Sequence, residues 1–537
     1  MNVNCDQQLA LWAEQLAAVM PGRSLLRDEL VSLLSSIGGE EAAAAWEQVA
    51  ELAYVTGAIR MEPSIAHTKR TSWWGLRRTD ELTCCRCGAG GDSIAWTSCA
   101  SCGQRCAYCE VCLTMGRTKL CAPLYVGAAA SSMQEVAAKS GLPAAADLER
   151  VGTGWFAEIC ARLPDLQLSP AQAAAAEAGV AFVREGWRLA ELGGDRVLPI
   201  RPFLIWAVTG AGKTEMMYPL VAAARMRGGK VLIATPRKDV VLELLPRIER
   251  AFSGERIAAL YGGSRQRWDE ADIVIATTHQ LLRYSAGFDL VVLDEVDAFP
   301  YHGDPMLEYA ARKACKPGGA FVMLSATPPE AMQRAVARGQ LPHVKVPVRY
   351  HRHPLPVPRY APPARLAELV RQSLARGAQV FVFVPQIARL GPELRHLRDK
   401  LSACLEASRI DATSSQDPDR ADKVLRLRSG DIRVLLTTTI LERGVTIAKA
   451  DVYVLGADSR LFDAAALVQM AGRAGRSAAD PHGQVRFLTT QRTRATASAL
   501  RQIRAMNRLA RRRGYLVADE GRSRWGVFWR NRGGAGT

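Results

Sequence analysis

Six apolar residues in a row, 203–208, lead through Thr209-Gly210-Ala211-Gly212-Lys213-Thr214 into the helix-compatible stretch 215–225. This strand, glycine loop and helix constrain the fold more than any other feature of the chain, because they are the setting of a phosphate-binding loop. Gly210 and Gly212 let backbone N–H groups close around phosphate oxygens, Lys213 reaches the β- and γ-phosphates, and the Thr214 hydroxyl is a magnesium ligand. The first position of the pattern is Ala207, where the general motif has Gly. A second apolar run, 290–293, ends on Asp294-Glu295-Val296-Asp297. It delivers carboxylates at the C-terminal end of a strand, where open α/β sheets bind ligands. Asp294 is placed to hold the magnesium and Glu295 to orient or deprotonate an attacking water. ATP and Mg2+ are the expected cofactors.

Short β-rich runs alternate with helical stretches over the rest of the chain. They are 203–208, 230–234, 273–276, 290–293 and 320–324, then a second set at 380–384, 410–412, 434–437, 452–455 and 484–487. Such alternation demands right-handed crossovers and parallel sheets covered on both faces. The chain has 537 residues, 48% of them hydrophobic, so several cores of the usual ~150-residue domain size are available. Residues 1–80 read as a helical region, with Leu9, Leu11, Trp12 and Leu16 in loose helical spacing. The expected order continues with a Cys-rich module (81–125), a connector (126–164) and a first α/β domain (165–345). A linker with six prolines (346–363), a second α/β domain (364–515) and a basic, aromatic tail (516–537) complete it.

The phosphate loop and the Asp294-Glu295 strand are joined by Ser325-Ala326-Thr327 and by Gln469-Met-Ala-Gly472-Arg473-Ala-Gly475-Arg476. The set resembles the motor of the superfamily 2 helicases, in which Ala is usual at the position of Ala207. The resemblance covers about residues 168–487. It implies a fold class of α/β, with two tandem RecA-like motor domains preceded by the helical region and a small zinc module. It also implies that Thr209, Ala211 and Gln469 belong to the nucleotide site, and that Arg473 and Arg476 neutralise charge on the transferring phosphoryl group. Gln172 resembles the glutamine that reads adenine in many members, with a plain helix-start residue as the alternative. Pro236 and Arg237, Thr277 and Thr278, and Thr439, which precedes Gly444-Val445, resemble the motifs that contact the nucleic-acid strand. Capping or turn roles are the alternative for Thr209, Arg237, Thr277 and Thr439.

Eight of the 13 cysteines lie between Cys84 and Cys112. Such density without an export signal points to metal and not to disulfides. Three C-x2-C knuckles, Cys84/Cys87, Cys99/Cys102 and Cys109/Cys112, supply all-thiolate ligands, and no His lies among them. A structural zinc is therefore expected. With the motor motifs and the ending Ala298-Phe299-Pro300-Tyr301, this cluster resembles ComFA, the late-competence ATPase family of Gram-positive bacteria. The resemblance favours Cys84, Cys87, Cys109 and Cys112 as ligands. Cys99, Cys102 and Cys106 then replace part of that set or build a second site, which is one thiol short unless Cys85 or Cys121 joins. What the family implies is a cytoplasmic motor, peripheral at the inner face of the membrane, that draws in single-stranded DNA alongside a membrane channel and other competence proteins. The expected function is ATP-dependent translocation on single-stranded DNA during natural competence.

The charge balance agrees with a polyanionic partner. The net charge is +17, and the last 47 residues hold twelve Arg against Asp519 and Glu520, a local +10. Trp525, Phe528 and Trp529 sit among Arg522, Arg524, Arg530 and Arg532 and suit an aromatic and basic contact surface; a solvated amphipathic helix is the bland alternative. Trp73 and Trp74 stack bases or pack internally. No run approaches the ~20 apolar residues of a membrane span, and residues 1–15 lack the pattern of a secretory signal. Two other readings stay open. One is a PriA-like replication-restart helicase, which usually carries its cysteines inside the second motor domain. The other is a zinc-dependent DNA-binding protein with an inactive motor.

Overall fold

In a computed structural model of the chain, residues 3–71, 78–128, 154–163, 165–192, 199–441 and 447–517 are described. They form two compact units. One comprises Met1–Gln167, Ala175–Trp206 and Thr214–Val344; the other comprises Leu168–Ala174, Ala207–Lys213 and Lys345–Thr537. Trp73, Trp74, Gly444, Val445 and the aromatic tail lie outside the described residues.

The first unit opens with helix α1 (Val3–Val19), the short strand β1 (Ser24–Leu25) and helices α2 (Arg27–Ala44) and α3 (Trp46–Val55). They bury Leu16, Met20, Leu30, Leu33, Leu34, Val49 and Ala53 in a core of their own. The helices stop at Val55, short of the limit expected at 80. β2 (Ile59–Pro63), β3 (Ile65–Thr71) and β4 (Arg78–Cys84) follow. The reason is pairing: Ile65 to Thr71 zips antiparallel onto Cys84 to Arg78, a tertiary gain that outweighs weak local propensity. β5 (Ile94–Ser98) and β6 (Arg105–Cys109) form a second hairpin, and β7 (Pro123–Gly127) joins β1 and β2 in a three-stranded sheet.

Helices α4 (Trp155–Ala161) and α5 (Pro170–Leu192) lead into the larger sheet. Its strands are β8 (Pro202–Ala207), β9 (Val231–Thr235), β10 (Ile257–Leu260), β11 (Ile273–Thr277), β12 (Phe288–Asp294), β13 (Cys315–Ser325) and β14 (His343–Val346), in the order β10-β11-β9-β12-β13-β8-β14. The neighbours from β10 through β8 are parallel. Every residue of β9, β11 and β12 is buried, as a sheet covered on both faces requires. Covering helices include α6 (Lys213–Arg225), α7 (Lys238–Ala251), α8 (Pro305–Ala314) and α9 (Glu330–Ala337).

The second unit is built on β15 (Arg359–Ala361), β16 (Gln379–Phe383), β17 (Ile410–Thr413), β18 (Val434–Thr437), β19 (Ala450–Leu455) and β20 (Val485–Leu488), in the order β15-β20-β19-β16-β18-β17. All five pairings are parallel. Helices α10 (Leu366–Ala375), α11 (Leu390–Leu401), α12 (Arg420–Ser429), α13 (Ala464–Ala471) and α14 (Arg494–Arg512) alternate with them. The two parallel sheets expected from the alternation are present, in the two tandem domains that the helicase resemblance implies.

The Pro-rich stretch is more than a linker. Ala361 lies in the edge strand β15, where proline neighbours are tolerated. Leu355 exchanges two hydrogen bonds with the buried Asn507 side chain, at 2.8 and 2.9 Å. Part of the C-terminal charge is a helix face: α14 buries Ala499, Leu500, Ile503 and Ala510 and leaves Arg494, Arg501, Arg504, Arg508, Arg511 and Arg512 exposed. Among the described residues, no helix is long and apolar enough to cross a membrane.

Candidate functional site: phosphate loop and cysteine clusters

All of the motor motifs of the first unit leave the C-terminal ends of parallel strands, so topology gathers them on one edge. Along that edge stand Thr277 at the end of β11, Pro236 and Arg237 after β9, Asp294 at the end of β12 and Ser325 ending β13, and the chain leaves the end of β8 into the phosphate loop, which itself belongs to the second unit. The expected strand-contacting residues occupy one half of the edge and the nucleotide motifs the other. Pro236 and Thr277 are buried, Thr278 is fully buried at the start of a 3-10 turn, Arg237 begins α7, and Thr439 begins a 3-10 turn after β18.

The loop has the backbone that its sequence demands. Gly210 and Gly212 sit at φ +78° and +75°, a region that glycine enters without strain, and Lys213 opens α6. Thr214 follows, buried in the first turn of that helix. Backbone N–H groups at a helix start beside two such glycines suit a phosphate chain, so these residues fit ATP. Asp294 is buried at the end of β12, and its Oδ1 accepts from the Glu295 N–H at 2.8 Å. Glu295 has φ +58°, a conformation uncommon outside glycine. A buried carboxylate at this strand end, with Thr214 opening the helix after β8, is the donor chemistry a hard divalent cation takes. Asp297 has a task that its sequence context does not reveal. It accepts from the Ser325 and Thr327 hydroxyls at 2.6 and 2.5 Å, tying the Asp-Glu strand to the Ser-Ala-Thr motif.

Gln172 is buried against the loop. Its Nε2 donates to the Ala211 carbonyl at 2.9 Å and its Oε1 accepts from the Ser169 N–H at 2.8 Å. The side chain that resembles the adenine-reading glutamine is thus bonded to the loop backbone.

Within the second unit the loop meets the arginine motif. Arg349, from the Pro-rich stretch, is fully buried. It donates to the Thr209 carbonyl at 3.2 Å, to Gly472 at 3.2 Å, to Ala474 at 2.6 Å and also to Gly475. Burial, reinforced by Arg476 nearby, lowers its pKa to about 9. Gly472 is required by contact: a Cβ there would stand 2.1 Å from the Thr209 hydroxyl. Gln469 and Arg473 are buried beside it, and Arg476 donates to the Gly472 carbonyl at 3.0 Å. His351 contacts the Gly475 carbonyl through Nε2 at 3.1 Å and accepts from the His353 N–H at Nδ1; burial lowers its pKa to about 4. Sequence reasoning missed Arg349 and His351. The signal was the basic, His-rich run Arg349-Tyr350-His351-Arg352-His353 inside a supposed linker.

The cysteines fall into two groups of four, each with its Sγ atoms within 4.8 Å of one another. Cys84, Cys87, Cys109 and Cys112 are all buried, with Cys84 to Cys112 at 3.7 Å and Cys87 to Cys109 at 3.6 Å. Tetrahedral zinc at ~2.3 Å from each sulfur sets the sulfur separation at about 3.8 Å, so this group fits the ion. Cys99 and Cys102 belong with Cys106 and Cys121 in the other group. The thiol that completes it is Cys121, and Cys85 stays outside both. The backbone carbonyl of Cys85 instead accepts from Lys313 at 2.9 Å and from Tyr309 at 3.4 Å, docking the first knuckle on α8. Arg86, fully buried in that knuckle, pairs at 2.7 Å with Glu29 of α2. Glu29 pairs at the same distance with Arg283, which closes the 3-10 turn carrying Thr278. One carboxylate therefore ties the knuckle, the N-terminal helices and a strand-contacting motif together.

Three family models match the chain. They are the competence protein ComFA N-terminal domain over residues 11–126, the DEAD/DEAH box helicase over 193–335 and the helicase conserved C-terminal domain over 362–478. The chain is 35% identical over 526 residues to competence protein ComFA of Bacillus subtilis, covering 95% of this chain and 98% of that protein. It is 37% identical over 323 residues to competence protein ComFA of Streptococcus pneumoniae, covering 58% of this chain and 73% of that protein. Replication restart protein PriA of Rickettsia felis is 28% identical over 170 residues, 29% of this chain and 26% of that protein.

Proposed function

Because the chain belongs to the competence protein ComFA family and carries both halves of a superfamily 2 helicase ATPase, we propose that it translocates on single-stranded DNA during DNA uptake. One observation carries the motor reading furthest. Arg349 bonds the backbone of the phosphate loop at Thr209 and that of the arginine motif at Gly472, Ala474 and Gly475. Arg473 and Arg476 thereby belong beside the loop whose Lys213 binds the nucleotide.

In this reading Lys213 and the loop N–H groups hold the β- and γ-phosphates, and Thr214 and Asp294 hold magnesium. ATP with its metal supplies the phosphoryl transfer to water. Glu295 orients that water, and Arg473 and Arg476 offset charge that develops on the γ-phosphoryl group. Gln172 and Gln469 brace the site. Pro236, Arg237, Thr277 and Thr278 of the first unit, and Thr439 of the second, are the residues that contact the strand. Repeated cycles of ATP hydrolysis move it stepwise. Zinc in the Cys84, Cys87, Cys109 and Cys112 group folds the small module beside the first sheet. The ion is structural, since four thiolates leave no open position for water. A membrane DNA channel and other competence proteins are the partners this reading calls for, at the inner face of the membrane. ATPase rates measured in parallel with single-stranded DNA, duplex DNA and RNA test it; equal stimulation by RNA would refute the DNA assignment. Arg473→Ala and Arg476→Ala should each slow turnover by about two orders of magnitude with modest effect on ATP affinity.

A further inference from the structure

The Cys99, Cys102, Cys106 and Cys121 group has a geometry and a setting of its own. Cys99 and Cys121 stand 3.8 Å apart, the edge expected of a zinc tetrathiolate and far beyond the ~2.05 Å of a disulfide. Its ligands come from three places. Cys99 and Cys102 form a knuckle at the tip of the β5–β6 hairpin, closed by the Cys99 N–H to Gln104 at 3.0 Å and the Gly103 N–H to Cys99 at 2.9 Å. Cys106 lies on β6 three residues before Cys109, so the two point to opposite faces of one strand. Cys121 arrives on a segment held to β6 by the Leu120 N–H to Ala107 bond, 2.9 Å, and by the bridge between Lys119 and Tyr108.

The β5 side of the hairpin adds little apolar packing of its own. No residue of β5 is buried; Ile94 and Ala95 are half-buried and Trp96, Thr97 and Ser98 exposed. A lone two-stranded hairpin is marginal in water. Four thiols converging from the tip, from β6 and from the segment that brings Cys121 add to that packing when they share an ion.

We propose that the chain binds a second zinc ion at Cys99, Cys102, Cys106 and Cys121, independent of the inner group and more readily exchanged. The difference in exchange follows from access. All four inner thiols are buried, whereas Cys102 and Cys121 of the outer group are exposed, so a chelator reaches the outer ion directly. Binding releases the thiol protons to solvent and involves no redox change. The inference does not depend on the motor reading, because metal content is counted without ATP or DNA.

The test uses the full chain purified under reducing conditions, with zinc counted by elemental analysis and native mass spectrometry. The wild type should hold two zinc ions per chain and release them to a chelator in two phases, with rates at least about tenfold apart. The double variant Cys102→Ser/Cys121→Ser should retain one ion and lose the fast phase. The retained ion doubles as proof that the rest of the module is folded. Cobalt substitution should show two tetrathiolate chromophores per wild-type chain and one in the variant. One zinc in the wild type, two in the variant, or loss of both ions from the variant would each overturn the proposal.

Discussion

The phosphate loop suits a phosphate chain and the cysteine module could hold zinc, and the two regions rest on opposite physics. The loop is a short turn mounted on a seven-stranded sheet whose strands β9, β11 and β12 are buried throughout, so its backbone is in place before any ligand binds. The cysteine module has two-stranded hairpins and few apolar side chains beneath them, so its ligands are also its core. In the first region binding uses the fold; in the second, binding completes it. A variant at the loop should therefore change chemistry without unfolding, and a variant at a thiol should change structure first.

The largest effect expected is at the loop. Lys213→Ala and Glu295→Gln should both abolish ATP turnover while leaving thermal stability near that of the wild type. They should differ in binding. Loss of Lys213 removes a direct phosphate contact and should weaken ATP affinity by about tenfold or more, whereas Glu295→Gln spares the metal site and should trap ATP. Equal affinities, measured by titration of a fluorescent ATP analogue, would refute this division of roles. Unfolding of either variant would break the contrast with the cysteine module.

At the module the order of consequences reverses. Cys112→Ser leaves three thiols of the inner group, and metal binding in such small folds accounts for some ten kcal/mol of their folding free energy. The variant should lose zinc and local protection from hydrogen exchange over residues 84–112, and should bind single-stranded DNA more weakly. Basal ATP hydrolysis should persist. If Cys112→Ser kept full zinc and full DNA affinity, the inner group would not be a metal site. The ion pairs from Arg86 through Glu29 to Arg283 give a route by which loss of the knuckle would also lower DNA stimulation of the ATPase.

How much of this was legible in the sequence follows the same division. The phosphate loop, the strand ending in Asp294 and the arginine motif are contiguous, so spacing and residue type placed them on strand ends and helix starts. Gln172, Asp297 and Arg349 act through partners 28 to 140 positions away, and no local pattern encodes such pairing. The three C-x2-C knuckles pointed to a metal, and the thiols do converge in two groups that could hold one. Which thiols share an ion depends on the opposite faces of β6 and on the return of the chain at Cys121, so Cys106 and Cys121 could not be assigned beforehand. The N-terminal strands were missed for a related reason, since β3 and β4 stabilise each other and neither signals a strand strongly by itself.

Arg349 sharpens the comparison with a smaller effect. Its guanidinium serves four backbone carbonyls and is fully buried, so Arg349→Met should strand those acceptors and destabilise the second unit by on the order of 3 kcal/mol. Because the same bonds hold the loop beside Gly472, turnover should fall with stability. Differential scanning calorimetry with parallel ATPase assays checks both. A stable but inactive variant would mean that Arg349 acts on the nucleotide directly and not through the backbone.

The smallest effect is one of pH. His351 has a folded-state pKa of about 4 because burial disfavours its charged form, against an ordinary value near 6.5. The unfolded chain therefore binds more protons between those two values, and stability rises with pH across that window. Its contribution is complete above pH 6.5, is lost as pH falls toward 4, and changes no further below that. The structural cause is explicit: Nδ1 accepts from the His353 N–H at 3.2 Å, and a protonated Nδ1 would face that donor with a donor of its own. Since His351 is only half-buried, the loss should be on the order of 1 kcal/mol after allowance for solvent screening. His351→Gln keeps a donor for the Gly475 carbonyl but does not titrate, so it should flatten this part of the stability profile. The acid release of zinc, which depends on thiolates elsewhere in the chain, should be unchanged in that variant. Thermal unfolding between pH 7 and 4.5, followed beside zinc release, separates the two responses. A slope that survives in His351→Gln would assign the acid sensitivity to the thiolates alone.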